Sequence, residues 1–338
     1  MPKKLGRYTI EFENKIFVQS FSAVAGKKES EGPLKEFFDK IFQDTTLGEE
    51  TWEKSESKLQ SQVVKLSLKK AKLTSEDIDY IFSGDLLNQN ISSTFGLKKF
   101  GIPFLGQYGA CSTMAQNLVL ASIFIESKVA NRTLAVTSSH FCSAERQFRF
   151  PLEYGGQRTP TAQWTVTGSG SVILGLEKKT DIYINKVTVG KITDLGIKDQ
   201  NNMGAAMAPA AFETLQNFFS DTETIPEDYD AIFTGDLGAV GSNLLRDLLI
   251  KEKNIDISKN HKDCGLIIFK RKEQDVHSGG SGCGCSASVL CSYILSKLQK
   301  KEFKNIIFMA TGALMSPTSV QQNEPIPGIA HLVNFRTV

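Results

Sequence analysis

The sequence predicts an α/β protein built by duplication, a five-layer α/β/α/β/α body of two halves related by a pseudo-twofold axis. Three observations predict it. The segment DIDYIFSGDL, Asp77 to Leu86, returns 151 residues later as DYDAIFTGDL, Asp228 to Leu237, identical at seven of ten positions. A longer stretch from Gly109, GACSTMAQNLVLASIFIESKVANRTLAVT, aligns without gaps with CGCSASVLCSYILSKLQKKEFKNIIFMAT from Cys283, 174 residues on. Strands and helices alternate in both copies, which implies largely parallel sheets covered by helices.

The elements follow the same order in each copy. A β-rich run, Tyr80 to Ser83 or Ala231 to Thr234, ends in Gly-Asp. A helical stretch, a Gly-rich turn, a long apolar helix and a second strand come next, the strand over Thr133 to Val136 or Ile306 to Met309. The boundary between halves is expected near residue 180, so that residues 1–180 carry Cys111 and residues 181–338 form the second half. A repeat longer than 150 residues is far too long for a solenoid. The helix from about Ser112 to Ser127 contains NLVLASIFI and is expected to be buried between the two sheets, whereas its counterpart, about Ser286 to Lys301, carries a polar face.

Composition narrows the function classes. With 41% hydrophobic and 22% charged residues the chain has ordinary globular usage, which excludes disorder and disulfide-stapled scaffolds. A formal charge of +2 predicts no nucleic-acid footprint. The strongest apolar run, Leu118 to Ile125, is too short to span a bilayer, and MPKKLGRYTI has no apolar leader core, so neither a membrane span nor a secretory signal is expected. The six cysteines are irregularly spaced and read as free thiols, with no structural zinc site.

Cys111 stands at the first turn of the buried helix, where the helix dipole and unpaired N–H groups favour a thiolate. The alternative is a small buried thiol in a tight turn, and Cys285 at the repeated position supports it. His140 follows a strand end, where pockets form in such sheets, or else is a hydrogen-bonded loop residue. Asp85 and its copy Asp236 are expected to cap the helices that follow them. Arg146, Arg149 and Arg158 form a cluster from which one guanidinium is expected to reach the pocket. His261, His277 and His331 sit in polar or loop contexts, and the glycines of TGSGS and GGSGCG lack phosphate-loop spacing. KLSLKKAK, Lys65 to Lys72, reads as a solvated helix face.

A cysteine in a G-A-C-S-T turn opening a buried helix of a duplicated body resembles the thiolase and 3-oxoacyl synthase superfamily, and implies its fold. In type III synthases a histidine in P-H-Q-A-N and an asparagine in G-N-T-S-A-A-S complete the site. Here Gly235 aligns with the histidine and Cys283 with the asparagine. Each lost donor is worth about 3 to 4 kcal/mol at an oxyanion, so the resemblance implies a fold without condensing activity. Within the superfamily, GDLLNQN (Gly84 to Asn90), TSSHFCSAERQFRFPLEYGGQ (Thr137 to Gln157), TVTGSGSVI (Thr165 to Ile173), AMAPAA (Ala206 to Ala211) and GGSGCGCSA (Gly279 to Ala287) closely resemble the stage V sporulation protein AD family. That resemblance implies a non-catalytic binding protein for dipicolinic acid, as the free dianion or its calcium chelate, with no other cofactor. It implies a homodimer, peripheral to the inner membrane of the developing spore, working with other stage V sporulation membrane proteins. The ligand is expected where the two long helices aim their N-termini, near Cys111, Cys283 and Cys285, with His140 and Asn88 supplying hydrogen bonds and Arg149 a charge. An active acyl-transfer or condensing enzyme and a structural scaffold are the competing readings.

Overall fold

The computed structural model describes residues 2–148 and 157–338. In the first half β1 (Thr9–Ala25), β2 (Tyr80–Gly84), β3 (Phe104–Gly106), β4 (Arg132–Ser139) and β5 (Gly168–Gly175) lie in the order β3-β2-β4-β5-β1. The second half, β6 (Ile182–Thr188), β7 (Ala231–Thr234), β8 (His261–Asp263), β9 (Asn305–Ala313) and β10 (Gly328–Thr337), repeats it as β8-β7-β9-β10-β6. In each half three strands run parallel and the fourth in line runs against both its neighbours. The duplication seen in the sequence is therefore a duplication of sheet topology.

The halves share hydrogen bonds as well as a pattern. β1 pairs antiparallel with β6, Ile16 opposite Ile184 and Phe17 opposite Tyr183, so the ladder is continuous from β8 to β3. Two short strands, Lys3–Leu5 and Lys40–Ile41, also pair with β1.

Helices fill the other three layers. α1 (Trp52–Ala71) packs on β1, β4 and β5 with α2 (Ile91–Leu97) beside it. The central layer holds α3 (Thr113–Glu126); α4 (Phe141–Phe148) lies against α1. On the far face α5 (Met203–Thr222) packs on β9 and β10, with α6 (Gly238–Lys253) against it. The second central helix, α7, is α-helical over Cys283–Val289, widens to a π turn over Leu290–Ile294 and closes as α-helix over Leu295–Gln299. Both central helices touch strands of both halves, and Met114, Leu118 and Ile125 meet Leu290 and Ile294 in one apolar cluster with Val172, Phe308 and Val333. This satisfies the apolar run of α3, which has almost no polar face to offer water. Among the described residues no helix is long and apolar enough to cross a membrane.

The polar face expected on α7 closes on itself. Ser286, Ser288 and Ser292 are buried, and the Ser286 and Ser288 hydroxyls donate to the carbonyls of Cys283 and Cys285 within their own helix. Small residues here serve packing. A Cβ on Gly284 would lie 2.5 Å from the Gly168 carbonyl oxygen, and one on Gly170 would press into the Ala287 carbonyl, so α7 rests backbone to backbone on β5.

Gly170→Ala is expected to cost about 2 to 3 kcal/mol through overpacking. Gly101→Ala, with positive φ but nothing within 4 Å, should cost about 1 kcal/mol from backbone strain alone. Urea unfolding of the two variants checks the order, as midpoint shifts at unchanged slope.

Candidate functional site

The site is built where strand ends of both halves meet the start of α3. Ala110–Ser112 make one 3-10 turn before α3 begins at Thr113. Ala110 holds φ at +48°, a strained value for a residue with a Cβ. The strain is held by local bonds: the hydroxyls of Ser112 and Thr113 donate to the carbonyls of Gly109 and Ala110, each at 2.7 Å. The turn sets Cys111, only 4% exposed, at the floor of a narrow cavity of about 30 Å³. Leu86, Tyr108, Glu145, Phe148 and Thr165 line it from the first half, and Met203, Ser281, Ala313 and Met315 from the second.

Beneath the floor lies Asp236, fully buried. It accepts hydrogen bonds from the Gly282 amide (2.8 Å) and the Ser281 (3.2 Å) and Thr311 (3.1 Å) hydroxyls, and its charge acts on the Cys111 thiol. Burial pushes its pKa up to about 6, against the pull of these donors. Sequence reasoning expected a cap for α6. The structure gives that task to Asp263, which accepts from the amides of Leu237 (2.9 Å) and Gly238 (3.1 Å). Asp85 does serve its helix start, accepting from Leu87 and from the amide and hydroxyl of Ser93.

The carboxylate changes what Cys111 can do. Burial, then the negative charge of Asp236 and the neighbouring Cys283, hold the thiol pKa well above its ordinary value. A helix dipole contributes about 2 kcal/mol at best, whereas desolvating a charge costs several kcal/mol, so the thiolate expected from the helix position loses to burial. The expected convergence of helix N-termini is also answered from within: Asp236 already occupies the start of α7 through Gly282, and the Gly284 amide donates to the Ser139 hydroxyl at 3.1 Å.

The remaining expected residues divide. Asn88 is at the rim, in a depression that shares Tyr108, Phe148 and Met315 with the cavity, its side chain accepting from Gln147 at 3.0 Å. Cys283 packs behind Cys111 and donates its S–H to the Ser138 carbonyl at 2.9 Å, and Cys285 is fully buried facing the Gly235 carbonyl; neither lines the cavity. His140 does not reach it either. Its Nε2 meets the Thr45 carbonyl at 2.8 Å, its Nδ1 accepts from the Cys142 amide, and burial lowers its pKa, so it is a neutral imidazole pinning a distant loop to the end of β4. Arg149 lies outside the described residues. Arg146 pairs with Glu53 over the Trp52 ring, and Arg158 stacks on Trp164 and donates to the Asp275 carbonyl. His261, His277 and His331 all bond inside the protein.

At Gly235 a Cβ would sit 3.0 Å from Ala310 Cα and from the Thr311 nitrogen, a tight fit against the backbone of β9. Asp236, Glu145, Tyr108, Thr165 and Ser281 are the site residues that the sequence reading missed. The one signal for Asp236 was its place directly after Gly235 in the repeated Gly-Asp.

A sequence profile of the stage V sporulation protein AD family (SpoVAD) matches residues 6–336. The chain is also 46% identical to stage V sporulation protein AD of Bacillus subtilis (strain 168) over 333 residues, 98% of each chain. The chain belongs to the stage V sporulation protein AD family. Among solved structures it resembles 3-oxoacyl-[acyl-carrier-protein] synthase III from Aquifex aeolicus VF5, at 13% identity and a TM-score of 0.56 over 95% of this chain and 99% of that one. An OleA variant from Xanthomonas campestris gives 12% identity and a TM-score of 0.60 over 98% and 99%. The tetronic acid condensing enzyme AbyA1 gives 15% and 0.56 over 94% and 99%. At these identities the likeness establishes the thiolase-like duplicated fold. This SpoVAD-family chain therefore carries a sporulation family's sequence on the fold of condensing enzymes.

Iodoacetamide should label Cys111 more slowly than a free thiol at the same pH. Asp236→Asn removes a negative charge and an acceptor that favour the S–H form, so labelling of Cys111 should accelerate. Peptide mapping of the labelled cysteines checks both, and a rate unchanged by Asp236→Asn would separate the carboxylate from the thiol.

Proposed function

We propose that this SpoVAD-family chain is a non-catalytic binding protein for dipicolinic acid, pyridine-2,6-dicarboxylate, acting in the machinery that moves the acid into the developing spore. The observation that supports it most is a narrow cavity over Cys111 whose thiol is kept protonated by burial and by Asp236, with Gly235 close against the backbone of β9. A pocket of this kind holds a ligand without the groups that would transform it. Its place is at the inner spore membrane, beside other stage V membrane proteins, and its ligand enters as the dianion or the calcium chelate.

Cavity charge bears on affinity. Asp236 opposes a bound carboxylate while ionised, and a proton on it removes that repulsion. Affinity for dipicolinate should therefore rise as pH falls through about 6, and Asp236→Asn should flatten the dependence. Two or three charge-assisted bonds must offset association entropy, so micromolar affinity, about 8 kcal/mol, is the expected ceiling. Calorimetric titration with dipicolinate, with benzoate as the one-carboxylate control, tests the reading. Cys111→Ala and Asn88→Ala should weaken binding a few-fold, while His140→Ala lowers thermal stability and leaves affinity unchanged. Equal binding of benzoate, or no heat with either acid, would favour the scaffold reading instead.

A second copy is the proposed cover for β3. This strand, outermost among the described residues, presents Phe104 (40% exposed) and Leu105 (37%) on an edge that no described strand pairs, with Tyr108 close by, an arrangement that invites edge pairing. Light scattering at micromolar concentration should give a dimer mass, and Phe104→Pro, which removes an outward N–H of the edge, should give a monomer.

A further inference from the structure

Away from the cavity, α1 and α2 enclose a groove of about 650 Å³ with two unlike walls. On α1, Lys54, Lys58 and Ser61 line it, and Lys65 continues the same helical spacing just beyond its end, a stripe about 16 Å long. The opposite wall is Ile91 and Phe95, 40% and 57% exposed, continued by Lys99. The groove is preformed: a Cβ on Gly96 would lie 2.5 Å from the Ser57 carbonyl oxygen, so the walls meet backbone to backbone at its base.

Charge is balanced at one end and unbalanced at the other. Glu50, Glu49 and Glu53 pair with Lys54, Lys58 and Arg146. Lys65, Lys98 and Lys99 pair with no described carboxylate; Lys99 donates to the Ser61 hydroxyl at 3.2 Å, and Lys98 lies over the Phe95 ring. Burial and the nearby Lys65 both depress the pKa of Lys99, as expected for like charges held together. A large aromatic and an isoleucine held in water beside an unneutralised cation cluster call for a partner that is apolar on one side and acidic on the other.

We propose that this groove docks an acidic amphipathic helix of another protein, its apolar face on Ile91 and Phe95 and its carboxylates toward Lys65 and Lys99. The stripe accommodates about three helical turns, and the anchors at Ile91 and Phe95 match a helix-in-groove contact. The site is separate from the dipicolinate cavity and does not depend on that reading.

The test uses the full chain and a synthetic helical peptide with leucine and phenylalanine along one face and glutamate along the other, followed by fluorescence anisotropy. The acidic peptide should bind, more weakly at high salt. Phe95→Ser and the double change Lys65→Glu with Lys99→Glu should each weaken it about tenfold or more, while Lys300→Glu on a remote surface leaves it unchanged. All these positions are exposed, so unchanged thermal melting confirms that the variants are folded. Equal binding of a peptide with lysine in place of glutamate, or affinity unchanged in the groove variants, overturns the proposal. So does conversion of a dimer to a monomer by Phe95→Ser, which makes the occupant a second copy.

Discussion

The carboxylate of Asp236 is the interaction on which the centre of this molecule depends. It accepts from Gly282 and Ser281 at the start of α7 and from Thr311 on β9, and its charge acts on Cys111 at the start of α3. Those donors tie the start of α7 to β9, and the first half meets them at Cys111. A buried carboxylate costs several kcal/mol to desolvate and repays it only through several well-placed donors. The three donors fix how α7 starts against β9.

Because the anion sits where the helix starts converge, it also sets the chemistry of the cavity. The positive end of α7 is neutralised from within, and the thiol beside it is held protonated. At Gly235 the backbone of β9 comes within 3.0 Å of where a Cβ would stand. An architecture shared with condensing enzymes thus keeps its pocket while the local electrostatics oppose a nucleophile.

The duplication is strict in topology and loose in use. The two Gly-Asp copies end equivalent strands, yet Asp85 caps a helix start and Asp236 clamps the interface, with Asp263 on β8 taking over the capping. The central helices diverge as well: α3 is a regular apolar helix, whereas α7 needs a π turn and glycine contacts to lie against β5. Repeated sequence preserved the strand order because register is set by local pattern. It did not preserve the role of any one polar side chain, which depends on partners supplied by the other half.

The sequence by itself determined the duplicated α/β body, the strands at Tyr80 and Ala231, the buried helix after Cys111 and the absence of a side chain at Gly235, because these follow from periodicity, repetition and residue type. Asn88 was legible as a loop residue near the mouth. Tertiary structure alone decided the states of the polar groups. His140 is satisfied by Thr45, a residue remote in sequence, Cys111 is kept protonated by burial and by Asp236 from the other half, and Cys283 and Cys285 turn inward. The physical reason is that a hydrogen-bond partner or a desolvation penalty is a property of the space around a side chain, and that space is assembled from distant segments only when the two sheets close over the central helices.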